Sequence, residues 1–140
     1  MWINIILGCL LMVLTTAIHG VVTRVIVHFI TKRGAIASKK KHMFPGVLWL
    51  PSIVLIMFFI TLLESALWSA TYMAMGAIDK LEEALYFSIV TFTTLGFGDV
   101  VLSEEWRLLA SFEAANGIII FGWSTAIVVA VVQKLYFTKS

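Results

Sequence analysis

The sequence predicts an all-α membrane protein with three transmembrane helices and a shorter helix that enters the membrane and turns back. Three observations lead there. Of the 140 residues 61% are hydrophobic, the mean hydropathy is +1.01, and only 13% are charged, about half the share usual in soluble domains. Residues 1–23 and 114–133 carry no Asp, Glu, Lys or Arg, and the apolar stretch 47–75 is interrupted by Glu64 alone. Each is near or above the ~20 residues that a spanning helix needs. A fourth uncharged run, 84–98, is too short to cross yet lies between two full-length stretches.

Residues 1–30 form the first predicted helix. It lacks the basic start of a signal peptide and no clear cleavage site follows, so it is expected to be retained. Cys9, the single cysteine, permits no intrachain disulfide. Ile6-Leu7-Gly8-Cys9 is faintly similar to a lipoprotein cleavage box, but no basic residue precedes it, and a buried or lipid-facing thiol is expected instead. His19 is read either as a neutral, hydrogen-bonded interior histidine or as a pH sensor. Residues 31–46 make a polar connector with Lys32, Arg33, Lys39, Lys40, Lys41 and His42. It suits a cytoplasmic loop that can also meet anionic lipid. Nucleic acid is not expected, because the basic cluster is confined to this one loop.

The second helix is predicted over 47–76, with Pro45 and Pro51 bracketing its start and Pro51 in the first turn or at a kink. Trp68 and Tyr72 lie near its far end, as interface aromatics do. The short helix is predicted over 80–93. Asp79, Glu82 and Glu83 stand at its start, where carboxylates meet the positive end of the helix dipole, and its inward end favours a cation. Residues 94–99 follow. Non-helical backbone survives at membrane depth only where protein buries it or a watery path runs beside it. Gly96 and Gly98, at alternate positions, open dihedrals closed to other residues, so successive carbonyls can turn to one axis. A ring of such carbonyls can replace the water shell of a monovalent cation. The last helix is predicted over 105–133, followed by a tail, 134–140.

Thr93-Thr94-Leu95-Gly96-Phe97-Gly98-Asp99 resembles the selectivity filter of the potassium channel superfamily, commonly Thr-Val-Gly-Tyr-Gly-Asp. The resemblance extends over 47–133 through Trp106-Arg107, Gly117 and the Phe121-to-Ala126 string, and makes that stretch a pore domain of outer helix, pore helix, filter and inner helix. It implies that the Thr94 hydroxyl and the carbonyls of Thr94, Leu95, Gly96 and Phe97 coordinate dehydrated K+ ions. Thr93, Gly98, Asp99 and Tyr86 would support the filter, with the Tyr86 hydroxyl bonding Asp99 in place of the hydroxyl that Phe97 lacks. Gly117 would be a hinge and Gly122 a place of close packing. One chain supplies one strand of carbonyls, so several copies are needed, and the resemblance makes the assembly a homotetramer.

Ile118, Phe121, Thr125, Val129 and Val132 recur at helical spacing and are the candidate pore lining, or else a stripe packed on a neighbouring helix. Glu64 and Glu113 are costly within a membrane and so candidate functional groups, protonated or hydrogen-bonded to Ser88, Thr91 or Trp68 and holding the filter from behind, or else making structural hydrogen bonds with no part in gating. With the connector inside, eight of the ten basic residues fall on the cytoplasmic side, all but Lys80 and Arg107. The acids Asp79, Glu82, Glu83, Asp99, Glu104 and Glu105 then fall outside. The expected protein therefore has its amino terminus outside and carboxyl terminus inside, and the resemblance implies a prokaryotic cell membrane. No helix carries an arginine at every third position, so voltage sensing of the usual kind is not expected. The alternatives are a weakly selective monovalent cation channel, or a non-conducting scaffold or accessory subunit. Gly96-Phe97-Gly98-Asp99 also fits the Gly-x-Gly-Asp string of intramembrane aspartyl proteases. Those need two paired aspartates, and Asp79, the only other aspartate, has no matching context.

Overall fold

Four helices build the chain in the computed structural model, which describes residues 1–37 and 45–136, with side chains over 1–29 and 50–133. They are α1 (Trp2–Ala37), α2 (Pro45–Ala74), α3 (Leu81–Phe92) and α4 (Arg107–Tyr136); no strand occurs among the described residues. Trp2–Phe29, Leu50–Ala74 and Arg107–Gln133 are long and apolar enough to cross a membrane. The 12-residue α3 is about 18 Å long at 1.5 Å per residue, well short of a ~30 Å hydrocarbon core. The fold is that of an all-α membrane protein.

Several helix ends differ from the sequence expectation, most of all the end of α1, while α4 runs on to Tyr136. α1 continues to Ala37, seven residues into the predicted connector, because Lys32, Arg33 and the alanines at 35 and 37 are good helix formers. Pro45 is the first residue of α2, and Pro51 lies inside the helix rather than in its first turn. Proline suits the first helical position, where its missing N–H has no partner to lose. Lys39, Lys40, Lys41, His42 and the end of the tail lie outside the described residues.

Helices in lipid gain little from burying apolar surface against each other, so small and polar residues decide how they pack. α1 and α4 run parallel: Asn4 Nδ2 donates to the Glu105 carbonyl at 2.6 Å, Asn116 Nδ2 to Thr15 Oγ1 at 2.7 Å, and His19 Nε2 lies 3.2 Å from Ser124 Oγ. Gly8 lets the Phe112 ring approach so closely that an added Cβ would lie 2.6 Å from Cγ. α2 runs antiparallel to both. Towards the α3 end, an apolar core gathers Leu11, Trp68, Tyr72, Phe87, Phe92 and Trp106. Ile26, Ile53, Met57, Ile60 and Val131 form a second core at the opposite end. His19, Glu64 and Ser124 come between the two.

Candidate functional site

The short helix ends in a device that launches the glycine-containing segment. The Leu95 N–H bonds the Val90 carbonyl at 3.0 Å and the Thr94 N–H bonds Thr91 at 2.9 Å. Thr94 between them has φ 61°. Together these make a Schellman cap, with threonine where glycine is usual. A β-branched residue at positive φ is strained by about 1–3 kcal/mol. The strain is tolerated because the bonds on either side hold it, and the Thr93 hydroxyl adds a third, to Ile89 at 2.7 Å.

Beyond the cap the sign of φ alternates. Thr94, Gly96 and Gly98 have φ of 61°, 54° and 78°, while Leu95 and Phe97 stay negative. An added Cβ at Gly96 or Gly98 would meet nothing within 4 Å, so glycine is required there by the dihedral and not by space. Residues 94–99 are exposed in the single chain, Leu95 by 61% and Phe97 by 66%. Asp99 closes the segment. Its Oδ2 accepts from the Tyr86 hydroxyl at 2.7 Å, the contact named from the sequence, and that bond first of all holds the Asp99 carboxyl below its usual range. The same bond raises the Tyr86 phenol.

Behind α3 stands Glu113, fully buried on α4. Its Oε2 accepts from the Tyr72 hydroxyl at 2.6 Å and its Oε1 bonds Ser88, whose Oγ also lies 2.5 Å from the Ser65 carbonyl. Glu113 thus ties α2, α3 and α4 together, and Ser88 is one of the partners expected from the sequence. The other predicted acid stands elsewhere. Glu64, also fully buried, bonds none of Ser88, Thr91 and Trp68; its Oε1 lies 3.1 Å from His19 Nδ1 on α1.

Gly117 abuts the foot of α3, where a Cβ would fall 1.8 Å from the Phe92 carbonyl oxygen. One turn on, Phe121 meets the Phe92 ring edge to face, centroids 6.4 Å apart. Glycine at 117 is therefore demanded by contact, whatever bending it also permits. A Cβ at Gly122 would meet nothing within 4 Å among the described residues. Ile118, Phe121, Thr125 and Val129 share an exposed, outward face of α4, although Phe121 also meets Phe92 of α3; Val132 is half-buried.

Sequence reasoning overlooked the residues that seat α1: Asn4, Thr15, Asn116 and Ser124. A signal was present. Asn4, Gly8, Leu11, Thr15, His19 and Thr23 fall at steps of three and four along α1 and are all buried, so one helical face collects the polar and small residues of an apolar span.

A re-entrant helix framed by two spanning helices, with an exposed segment of alternating φ at its foot, defines a pore-loop membrane protein. Residues 46–134 match the family described as Ion channel, and the chain belongs to that family, within the potassium channel superfamily. Over 70 residues it is 40% identical to the voltage-gated potassium channel Kch of Escherichia coli (strain K12), covering 47% of this chain and 17% of that protein. The chain thus aligns with only about a sixth of that relative's length. No solved structure matches at a significant level. The family points to a channel and away from the aspartyl protease reading.

Proposed function

We propose that four copies of this chain form a potassium-selective channel, with residues 94–99 of each meeting at a common axis. The observation that carries the reading is the alternation of φ at Thr94, Gly96 and Gly98 in an exposed segment. In an extended strand successive carbonyls point to opposite sides. Alternating left- and right-handed residues turn them to one side, where the carbonyls of Thr94, Leu95, Gly96 and Phe97 and the Thr94 hydroxyl can replace potassium's hydration shell. One chain cannot encircle an ion, which is why symmetry-related copies are required. The relative's printed name, a potassium channel, agrees with the choice of ion.

In that assembly the outward face of α4 with Ile118, Phe121, Thr125 and Val129 lines the path, and its apolar side chains can close it by dewetting. The acids Asp79, Glu82, Glu83, Asp99, Glu104 and Glu105 surround the outer mouth. There they concentrate cations within a Debye length of about 8 Å at physiological salt. The amino terminus lies outside and the carboxyl terminus inside a prokaryotic cell membrane, the orientation the basic residues favour.

Purified protein reconstituted in liposomes tests the reading: potassium flux should exceed sodium flux and be blocked by barium. Equal fluxes would favour the weakly selective alternative, which Phe97 supports through its missing hydroxyl. No flux of either ion would leave the scaffold reading.

A further inference from the structure

His19 on α1, Glu64 on α2 and Ser124 on α4 bring one imidazole into contact with three helices at the level between the two apolar cores. Nδ1 lies 3.1 Å from Glu64 Oε1 and Nε2 lies 3.2 Å from Ser124 Oγ. The ring is fully buried, with Trp123 set edge to face at 5.6 Å. The same indole lies over Gly20, where a Cβ would make ordinary contact with its Cη2 at 3.5 Å.

We propose that His19 is a positioning residue for the inner helix: Glu64 orients its ring, and the proton it carries sets whether Ser124 donates or accepts. The chemistry follows from the two nitrogens. Beside the carboxylate, Nδ1 keeps its hydrogen and donates to Glu64 in either charge state. A neutral ring then has a lone pair on Nε2, and the Ser124 hydroxyl must donate to it. An imidazolium carries hydrogens on both nitrogens, so Ser124 must accept, and its own proton turns to a backbone carbonyl of the preceding turn. The bond to α4 becomes charge-assisted and roughly twice as strong, while the charge is balanced by Glu64.

Among the described residues no charged group other than Glu64 faces the ring. α2 contributes Glu64 alone. From α4 the neighbours are Ser124 and Trp123, and that helix has no charged residue between Glu113 and Lys134. Glu113 is engaged with Tyr72 and Ser88. α1 does not pack on α3 among the described residues, and Arg24 on α1 itself is exposed. The His19–Glu64 pair is therefore where a proton reaches this contact. Ser124 is one residue before Thr125 on the proposed pore-lining face and seven past Gly117, where α4 is pinned to Phe92. Any swing of α4 below Gly117 carries Ser124 away from His19, so the imidazolium form opposes it.

The inference rests on the channel reading above. Its test is potassium flux into liposomes from pH 8 to pH 5, the range in which an imidazole ordinarily titrates. Wild-type flux should fall about fivefold or more on acidification, the size of a typical coupling between sites. His19→Gln and Ser124→Ala should conduct with flat profiles, and His28→Gln should keep the wild-type profile. A wild-type profile flat across this range overturns the inference, as does a slope that survives in both His19→Gln and Ser124→Ala, or one removed by His28→Gln. Absence of flux in wild type at every pH overturns the channel reading, and the inference with it.

Discussion

Gly96 and Gly98 hold their place through backbone geometry alone. A Cβ at positive φ costs about 1–2 kcal/mol, so Gly96→Ala or Gly98→Ala should abolish potassium flux while circular dichroism shows unchanged helix content. The Tyr86–Asp99 bond has a defined pH dependence. Because the bond lowers the folded pKa of Asp99 below its ordinary 3.8, its stabilising contribution is complete above that value. It is lost as pH falls through the lower folded pKa. Tyr86→Phe returns Asp99 towards 3.8, so the onset of acid-induced current decay should move to higher pH, measured between pH 3 and 6 on the outer side. Tyr86, raised above its ordinary 10.0, remains a donor through the whole physiological range.

Glu113 makes a further residue-scale case. The single Ser88 hydrogen cannot serve both the Ser65 carbonyl and Glu113, so a carboxyl that carries its own proton satisfies every group in the cluster. Glu113→Gln, which keeps a donor and an acceptor, should leave thermal stability in detergent nearly unchanged. Glu113→Ala leaves the buried Tyr72 hydroxyl unpartnered at a cost of about 1–3 kcal/mol and should lower the melting temperature. Equal losses in both variants would count against this proton arrangement.

Among elements, α3 and α4 approach closely at Gly117, where a Cβ would fall 1.8 Å from the Phe92 carbonyl oxygen. Gly117→Ala forces the Phe92 carbonyl and α4 apart and should destabilise the fold by about 1–3 kcal/mol, read as a drop in melting temperature. Gly122→Ala meets nothing within 4 Å among the described residues and should be neutral, or stabilising through the better helix propensity of alanine, wherever no neighbouring copy packs there. α1 is seated by separate polar contacts, each worth about 0.6 kcal/mol on average in membranes. Their sum is small beside the several kcal/mol lost when a polar group faces lipid unpaired. The ladder therefore sets the rotation and register of α1 more than its affinity.

For the whole molecule, the proposed orientation is open to direct labelling. In a Cys9→Ser background, a cysteine at Glu104 should react with an impermeant maleimide from outside intact cells, and one at Ser140 only after permeabilisation. The reverse pattern would invert the proposed topology. The membrane class and the re-entrant helix were legible in the sequence because both depend on lengths of apolar runs. The glycine pair was legible because dihedral freedom is a property of the residue itself. Ser88 as a Glu113 partner was within reach of counting along helices. The pairing of Glu64 with His19 was not, since counting gives depth and leaves open which neighbour a helix face meets.

By itself the sequence determined what local chemistry controls: three membrane-crossing helices, a short helix unable to cross, and a turn that only glycine relaxes. Tertiary structure alone decided that α1 lies parallel to α4, that Gly117 is filled by the Phe92 carbonyl, and that Glu64 faces α1 while Glu113 stands behind α3. Those depend on the rotational phase of helices up to about a hundred residues apart. Phase is selected jointly by every polar group that must find a partner away from water.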